Sequence, residues 1–264
     1  MYAFDYRKPA NVDEAVKLLA DSEEAAIVAG GMTLLPTMKQ RLAAPEALID
    51  LGAIPELAGV RAEGNEIVVG AMTTHMTVAT DSTVNKRIPA LASLADGIGD
   101  AQVRNRGTIG GSIANNDPAS DYPAALVGLG ATVTTNKRSI AADDFFLGLF
   151  ETALDEGEIV TGVRFPVPDT AGYQKFYNPA SRYAIVGVFV SKTGNDVRVA
   201  VTGAGPCVFR VPEMERALAA NWEPSAVANV TIAPDELNAD LHASAEYRAH
   251  LTTVMAKRAV ADAR

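Results

Sequence analysis

The hydrophobic and polar positions divide the chain into three stretches of different rhythm. In the first, Val12, Ala15, Val16 and Leu19 recur at helical spacing behind Asn11, a residue suited to a helix N-cap, so a helix is expected through Ala20. Ala25 to Val28 is a short apolar run that reads as a buried strand, and Gly30-Gly31 ends it. Thr33 stands where it would cap a following helix over Leu34 to Leu42, with Pro36 in the first turn, where a missing N–H costs little. Ala47 to Leu51 is a second strand-like run. The unit is strand–turn–helix–strand, and its turn would present backbone N–H groups at a helix start, a natural place for an anion.

A boundary near Gly52 to Pro55 opens the second stretch. Glu66 to Met72 reads as a strand, Thr73, Thr74 and Thr77 suit a cap or connection, and Ile88 to Ala95 reads as a helix. Gly97 to Asn116 is dense in Gly, Asn and Arg and fits neither a plain helix nor a plain strand. Asp121-Tyr122-Pro123 opens a helix over Ala124 to Leu129, with Asp121 as its cap. Ala131 to Thr135 and Glu158 to Phe165 are strand-like. A second boundary falls at Pro166 to Gly172. Beyond it Tyr173 to Tyr177, Ala184 to Lys192 and Val197 to Gly203 read as strands, the last two joined by the hairpin signal Thr193-Gly194-Asn195-Asp196. Pro212 to Ala220 and Ser244 to Ala263 complete the pattern as helices. The expected organisation is α+β in three parts, 1–53, 54–167 and 168–264.

Composition narrows the function. A net charge of -9 over 264 residues argues against nucleic acid, which needs clustered Lys and Arg. The single cysteine, Cys207, leaves this chain unable to build a disulfide, a zinc cage or an iron–sulfur site by itself. His75, His242 and His250 are too scattered for a metal site. The first residues lack a basic, apolar leader, and no run of about 18 apolar residues occurs, so the cytoplasm is the expected compartment. His75 is expected on a surface turn and Cys207 as a small packed or loop residue. Asp143-Asp144 and Asp155-Glu156 read as solvated loops. Arg104 and Arg106 suit either structural ion pairs or a place near phosphates or a neighbouring subunit.

The candidate chemistry lies in two glycine turns, Ala29-Gly30-Gly31-Met32-Thr33 and Thr108-Ile109-Gly110-Gly111-Ser112. Glycine lets a backbone turn sharply and approach a ligand closely. Neither turn has the G-x-G-x-x-G spacing of a Rossmann fingerprint or the Gly-Lys-Ser/Thr of a P-loop. The second turn would offer backbone N–H donors and the hydroxyls of Thr108 and Ser112, with Asp121 downstream as an acceptor. From the residues alone, a structural turn or a bare helix cap stands beside the reading of a diphosphate clamp.

Ala29-Gly30-Gly31-Met32-Thr33-Leu34-Leu35-Pro36, Gln102-Val103-Arg104-Asn105-Arg106-Gly107-Thr108-Ile109-Gly110-Gly111-Ser112, Asp117-Pro118-x-x-Asp121 and the tail Asp240 to Arg248 together resemble the FAD-binding medium subunit of molybdenum hydroxylases, the xanthine dehydrogenase family, and within it the aerobic carbon monoxide dehydrogenase type. The resemblance covers the whole chain. It implies a PCMH-type fold, with two N-terminal α+β subdomains holding FAD and a C-terminal domain of antiparallel strands and helices. It implies that Ala29, Gly30, Gly31, Met32, Thr33, Leu34 and Leu35 wrap the pyrophosphate. Ile98, Gly99 and Val103 would line the flavin and ribityl region, and Gly107, Thr108, Ile109, Gly110, Gly111 and Ser112 the second wall. Asp121 would be a polar anchor, Val160 an apolar neighbour of the ring system and Lys175 a cation near the flavin.

Two positions depart from the family's pattern: Met32 stands where Asn, Gln or His is common, and Pro179 where many members have Arg, with Arg182 as a substitute charge. The histidine needed for a covalent flavin link is missing from both turns, so FAD would be held non-covalently. The implied role is electron transfer from the [2Fe–2S] clusters of a small subunit, itself fed by a large molybdopterin subunit, through FAD to an external acceptor, in a dimer of heterotrimers. No side chain is expected to act as a general acid or base. A scaffold subunit that has lost FAD and a stand-alone flavin oxidoreductase of the same fold are the alternatives.

Overall fold

A computed structural model describes residues 1–22 and 24–264. The first part is a small parallel sheet with two helices. Strands β1 (Asp5–Arg7), β2 (Ala25–Val28) and β3 (Ala47–Asp50) take the order β1-β3-β2, connected by α1 (Val12–Ala20) and α2 (Leu34–Lys39). Asn11 caps α1, its Oδ1 accepting from Glu14 N at 2.8 Å. Helix α2 is shorter than expected, and Thr33, though at its N-cap position, makes no capping bond with its side chain. Arg41 takes a left-handed φ of 62° just past the helix.

The second part is a five-stranded antiparallel sheet of β4 (Val60–Glu63), β5 (Glu66–Gly70), β6 (Thr132–Thr135), β7 (Ser139–Ala141) and a later strand, Val160–Pro166, in the centre. Between β5 and β6 runs a string of helices: α3 (His75–Thr80), α4 (Ser82–Arg87), α5 (Pro89–Asp96), α6 (Ala101–Arg106), α7 (Ile109–Asn115) and α8 (Tyr122–Leu129). The segment from Gly97 to Asn116, expected to be irregular, is therefore mostly helical. Side-chain caps override its weak propensity: Asp100 accepts from Val103 N at 2.9 Å and Thr108 from Gly111 N at 3.2 Å. Close packing then favours glycine inside α7, because a Cβ on Gly110 would lie 2.5 Å from that of Ala71. After β7 comes one turn, α9 (Ala142–Phe145), and then a two-stranded hairpin, β8 (Phe146–Gly148) with β9 (Glu151–Thr152). The central strand Val160–Pro166 is β10.

The third part is an antiparallel sheet, β11 (Thr170–Tyr177), β12 (Ala184–Thr193), β13 (Asp196–Thr202) and β14 (Phe209–Arg210), followed by α10 (Pro212–Ala220) and α11 (Ala245–Asp262). Gly194 takes a left-handed φ of 57° in the β12–β13 turn, as the Gly-Asn signal requires. Val186, Val188, Val190 and Val199 of this sheet face α10 and α11. Phe189 and Ala200, one residue out of phase, join the core around α8. Both faces are covered, so β12 is a continuous apolar run. Helix α8, buried at every position, is the shared core element between the second and third parts. Ile159 performs the same service for the first part, packing with Ala15, Ile49 and Leu51.

Candidate functional site

A cavity of about 530 Å³ opens where the three parts meet. The first glycine turn leaves β2 and enters α2 along one side; the second leaves α6 and enters α7 along the other. The two turns touch. Gly30 lies so close to the second turn that a Cβ on it would sit 2.1 Å from the carbonyl oxygen of Arg106, and a Cβ on Gly111 would sit 3.3 Å from that of Ala29. Gly31 has a φ of 72°, which a branched residue adopts only with strain.

The two turns differ in the donors they leave free. In the second, Ile109 N donates to Thr73 O at 3.1 Å, Gly110 N to Ala71 O at 2.8 Å, Gly111 N to Thr108 Oγ1 and Ser112 N to Thr108 O at 3.0 Å. The expectation that this turn supplies several backbone donors is corrected: the protein consumes these four, because α7 starts directly against the edge of β5, and leaves only the Thr108 N–H without an acceptor among the described residues. In the first turn, the N–H groups of Gly31, Met32, Thr33 and Leu34 have no acceptor among the described residues. Those groups, at the start of a helix and beside the cavity, suit the negative oxygens of a diphosphate.

Ala29, Gly30, Gly31, Met32, Thr33 and Leu34 all border the cavity, as do Ile98, Gly99, Val103, Gly107, Thr108, Gly110, Gly111, Ser112, Asp121 and Val160. Leu35, Ile109 and Lys175 do not. Ile109 is wholly buried in the core behind the second turn, because the 3.6-residue period of α7 points it away from the cavity. Leu35 lies under Gly31 and packs in the small core of the first part.

Lys175 is held beneath the cavity, and Asp121 is the reason. Its Nζ lies 2.8 Å from Asp121 Oδ1 and donates to the carbonyls of Gly97 at 3.0 Å and Arg182 at 2.9 Å. Tyr173 adds a 2.5 Å hydrogen bond to the same carboxylate oxygen. Burial pushes the Asp121 carboxyl up, against the opposing pull of Lys175, and drives the Tyr173 phenol well up. Contrary to the sequence expectation, the Asp121 side chain makes no capping bond to α8 and turns to Lys175 instead. The lysine charge is thus paired. The guanidinium that borders the cavity belongs to Arg182, at a left-handed φ of 64° in the β11–β12 loop.

Met72, Tyr183 and His75 are among the cavity-bordering residues that the sequence reading did not place there. Met72 and Tyr183 carried no motif. His75 is buried rather than on a surface turn, its backbone N–H bonded to Gly107 O at 2.9 Å and its ring 5.3 Å from that of Tyr122. The signal was there in Thr74, whose hydroxyl accepts from Thr77 N at 3.1 Å and so caps a helix that begins at His75. Arg104 resolves as structural: it donates to the carbonyls of Ile98 and Gly99 and lies 3.6 Å from Asp96.

Residues 2–168 match the FAD-binding domain of molybdopterin dehydrogenases, and residues 171–263 match the C-terminal domain of carbon monoxide dehydrogenase flavoproteins. The chain belongs to the FAD-binding medium subunits of the molybdenum hydroxylases. Among its relatives, the carbon monoxide dehydrogenase medium chain of Hydrogenophaga pseudoflava is 39% identical over 97% of this chain and 96% of that one. The nicotine 6-hydroxylase medium subunit of Paenarthrobacter nicotinovorans is 36% identical over 99% and 97%. Among solved structures, quinoline 2-oxidoreductase from Pseudomonas putida 86 superposes with a TM-score of 0.89 at 30% identity, over 98% of this chain and 96% of that one.

The cavity of this medium subunit fits FAD on its own chemistry. The unpaired N–H groups of the first turn meet the demand of a diphosphate. Ile98, Val103, Leu154, Ile159 and Val160 give the remaining wall an apolar character suited to a ring system. No helix among the described residues is long and apolar enough to cross a membrane.

Proposed function

We propose that this subunit holds FAD non-covalently between its two glycine turns and relays electrons for a heterotrimer. A small subunit would deliver them from [2Fe–2S] clusters, a large subunit would oxidise the substrate at a molybdopterin centre, and an external acceptor would remove them, in the cytoplasm. The bound flavin supplies the redox chemistry. The chain's residues bind, orient and tune. Gly31 to Leu34 provide donors for the diphosphate, Ile98, Val103 and Val160 an apolar wall for the ring, and Arg182 a cation at the rim. Lys175 secures Asp121 and the Arg182 backbone. The division at residues 1–53, 54–167 and 168–264 belongs to the same reading: three parts, each lending one side of the site.

The observation that carries this reading is the row of unpaired N–H groups from Gly31 to Leu34 facing a cavity with an apolar far wall. An exposed apolar hairpin supports the partnership. Leu147, Leu149 and Phe150 are each more than half exposed, and the hairpin is tied to the end of α7 by Asn116, whose Nδ2 donates to Gly148 O and Glu151 O at 2.8 Å. Asn115 beside it borders the cavity, which supports a donor subunit approaching on this surface.

Two measurements test the proposal. The purified chain titrated with FAD should show a stoichiometric flavin spectrum; no bound flavin at saturating FAD overturns the cofactor role. The complex purified from the native host should contain all three subunits, and its flavin should bleach when substrate is added without acceptor. A lone chain that turns over a substrate by itself would overturn the relay.

A further inference from the structure

With the N–H groups of Ile109, Gly110, Gly111 and Ser112 spent on protein acceptors, the second glycine turn keeps only the Thr108 N–H and the hydroxyls of Thr108 and Ser112 for a ligand, and a side chain packed on the turn can add to them. His75 is placed for that role. Its ring lies directly against the turn: a Cβ on Gly107 would be 2.5 Å from Nε2. The residue borders the cavity and is 5% exposed.

The two ring nitrogens differ. Nδ1 is buried without a partner. Nε2 also makes no hydrogen bond, yet it is not among the enclosed unpartnered atoms, so it opens toward the cavity. A neutral imidazole carries one proton. Placing it on Nδ1 would bury an N–H with no acceptor, whereas placing it on Nε2 directs it to where an acceptor can sit. Burial and the Arg104 guanidinium also hold the ring neutral, at a pKa of about 4. The result is a neutral ring with one lone pair facing inward and one N–H facing the cofactor space.

We propose that His75 donates a hydrogen bond from Nε2–H to an acceptor oxygen of bound FAD, acting as a side-chain donor alongside the second turn. This inference rests on the FAD reading above. The same residue also fixes the turn: the His75 backbone N–H donates to Gly107 O, so cofactor and turn share one support.

The test uses the full chain stripped of flavin, titrated with FAD, alongside thermal melts of the apo form. His75→Leu should weaken FAD binding by about tenfold or more, the range for a lost hydrogen bond to a polar or charged acceptor. His75→Gln, whose amide nitrogen reaches about the same point as Nε2, should restore most of the affinity. Three histidines make nitrogen-15 spectra of the imidazoles simple to assign. In the wild-type chain His75 should carry its proton on Nε2, and that resonance should shift on adding FAD. Wild-type affinity in a folded His75→Leu chain, or a proton on Nδ1 in the FAD-bound state, overturns the proposal. If His75→Leu fails to fold, the glutamine variant and the wild-type spectra decide. A wild-type chain that binds no FAD at all would instead remove the cofactor reading itself.

Discussion

Gly30 and the carbonyl of Arg106 are in backbone contact, so the two glycine turns form one continuous wall rather than two separate loops. A Cβ on Gly30 would meet that oxygen at 2.1 Å, and the Cα of Gly107 at 2.7 Å. Backbone cannot swing aside as a side-chain tip can, so even alanine must push the turns apart. Gly30→Ala should cost about 1–3 kcal/mol of apo stability, the range for overpacking, and should reduce FAD affinity further by splaying the wall. Gly111→Ala is the contrast: its Cβ would meet Ala29 Cβ at 3.3 Å and Thr108 Oγ1 at 3.0 Å, so it should be milder on both counts. Parallel melts and FAD titrations check this; equal tolerance of the two would show that the turns do not depend on their contact.

The buried Lys175–Asp121 pair makes a second prediction with a sign that can be checked. Both side chains are at least nine-tenths buried and 2.8 Å apart. Removing the cation alone leaves a buried carboxylate, which typically costs about 3–5 kcal/mol. Lys175→Met should therefore be strongly destabilising, whereas Lys175→Met with Asp121→Asn should recover a large part of the loss. Denaturant melts of the four-member cycle measure the coupling. Additive losses would show that the lysine acts elsewhere, for instance directly on the flavin.

How far the sequence discloses this arrangement depends on distance along the chain. Periodic segments such as Val12–Ala20 and Pro212–Ala220, and the Gly-Asn turn of the β12–β13 hairpin, are readable because their signals are local. The glycine turns are readable as turns. Helices α6 and α7 are not, because α6 is a short run of mostly polar residues and the glycines of α7, one of them packed against Ala71, mask its helical pattern. The burial of His75 and the pairing of Lys175 with Asp121 are tertiary facts: each depends on elements that sequence order separates and that only packing brings together. The same holds for which N–H groups remain free, since the donors of Ile109 and Gly110 are consumed by Thr73 and Ala71 in another element.

His75 also predicts a pH dependence of stability. Its folded pKa is about 4, lowered by burial and then by Arg104, against about 6.5 when unfolded. Between those values the unfolded chain binds more protons, so this group makes stability fall as pH drops from about 6.5 toward 4 and adds no further slope below. The loss across the window is about 3 kcal/mol at most. Melts of the wild-type chain and His75→Gln between pH 7 and pH 4 should diverge in that direction, with the shallower slope in the variant. Parallel curves would mean that the ring is accessible to protons in the native state.

The exposed hairpin links strain to assembly. Phe150 is more than half exposed at a left-handed φ of 54°, a conformation that costs a bulky residue about 1–3 kcal/mol. The protein holds it there with Phe150 N bonded to Asn116 O and with the two Asn116 side-chain bonds across the hairpin. Glycine would relieve the strain and remove the aromatic face together. Phe150→Gly should therefore leave the isolated chain as stable as wild type or more so, with FAD binding intact, while weakening its association with the co-expressed iron–sulfur subunit. Melts, FAD titration and size-exclusion chromatography of the co-expressed pair report the three effects separately. Undiminished association would show that the hairpin is not the partner surface, and a loss of stability would show that the phenyl ring contributes to the fold rather than to assembly.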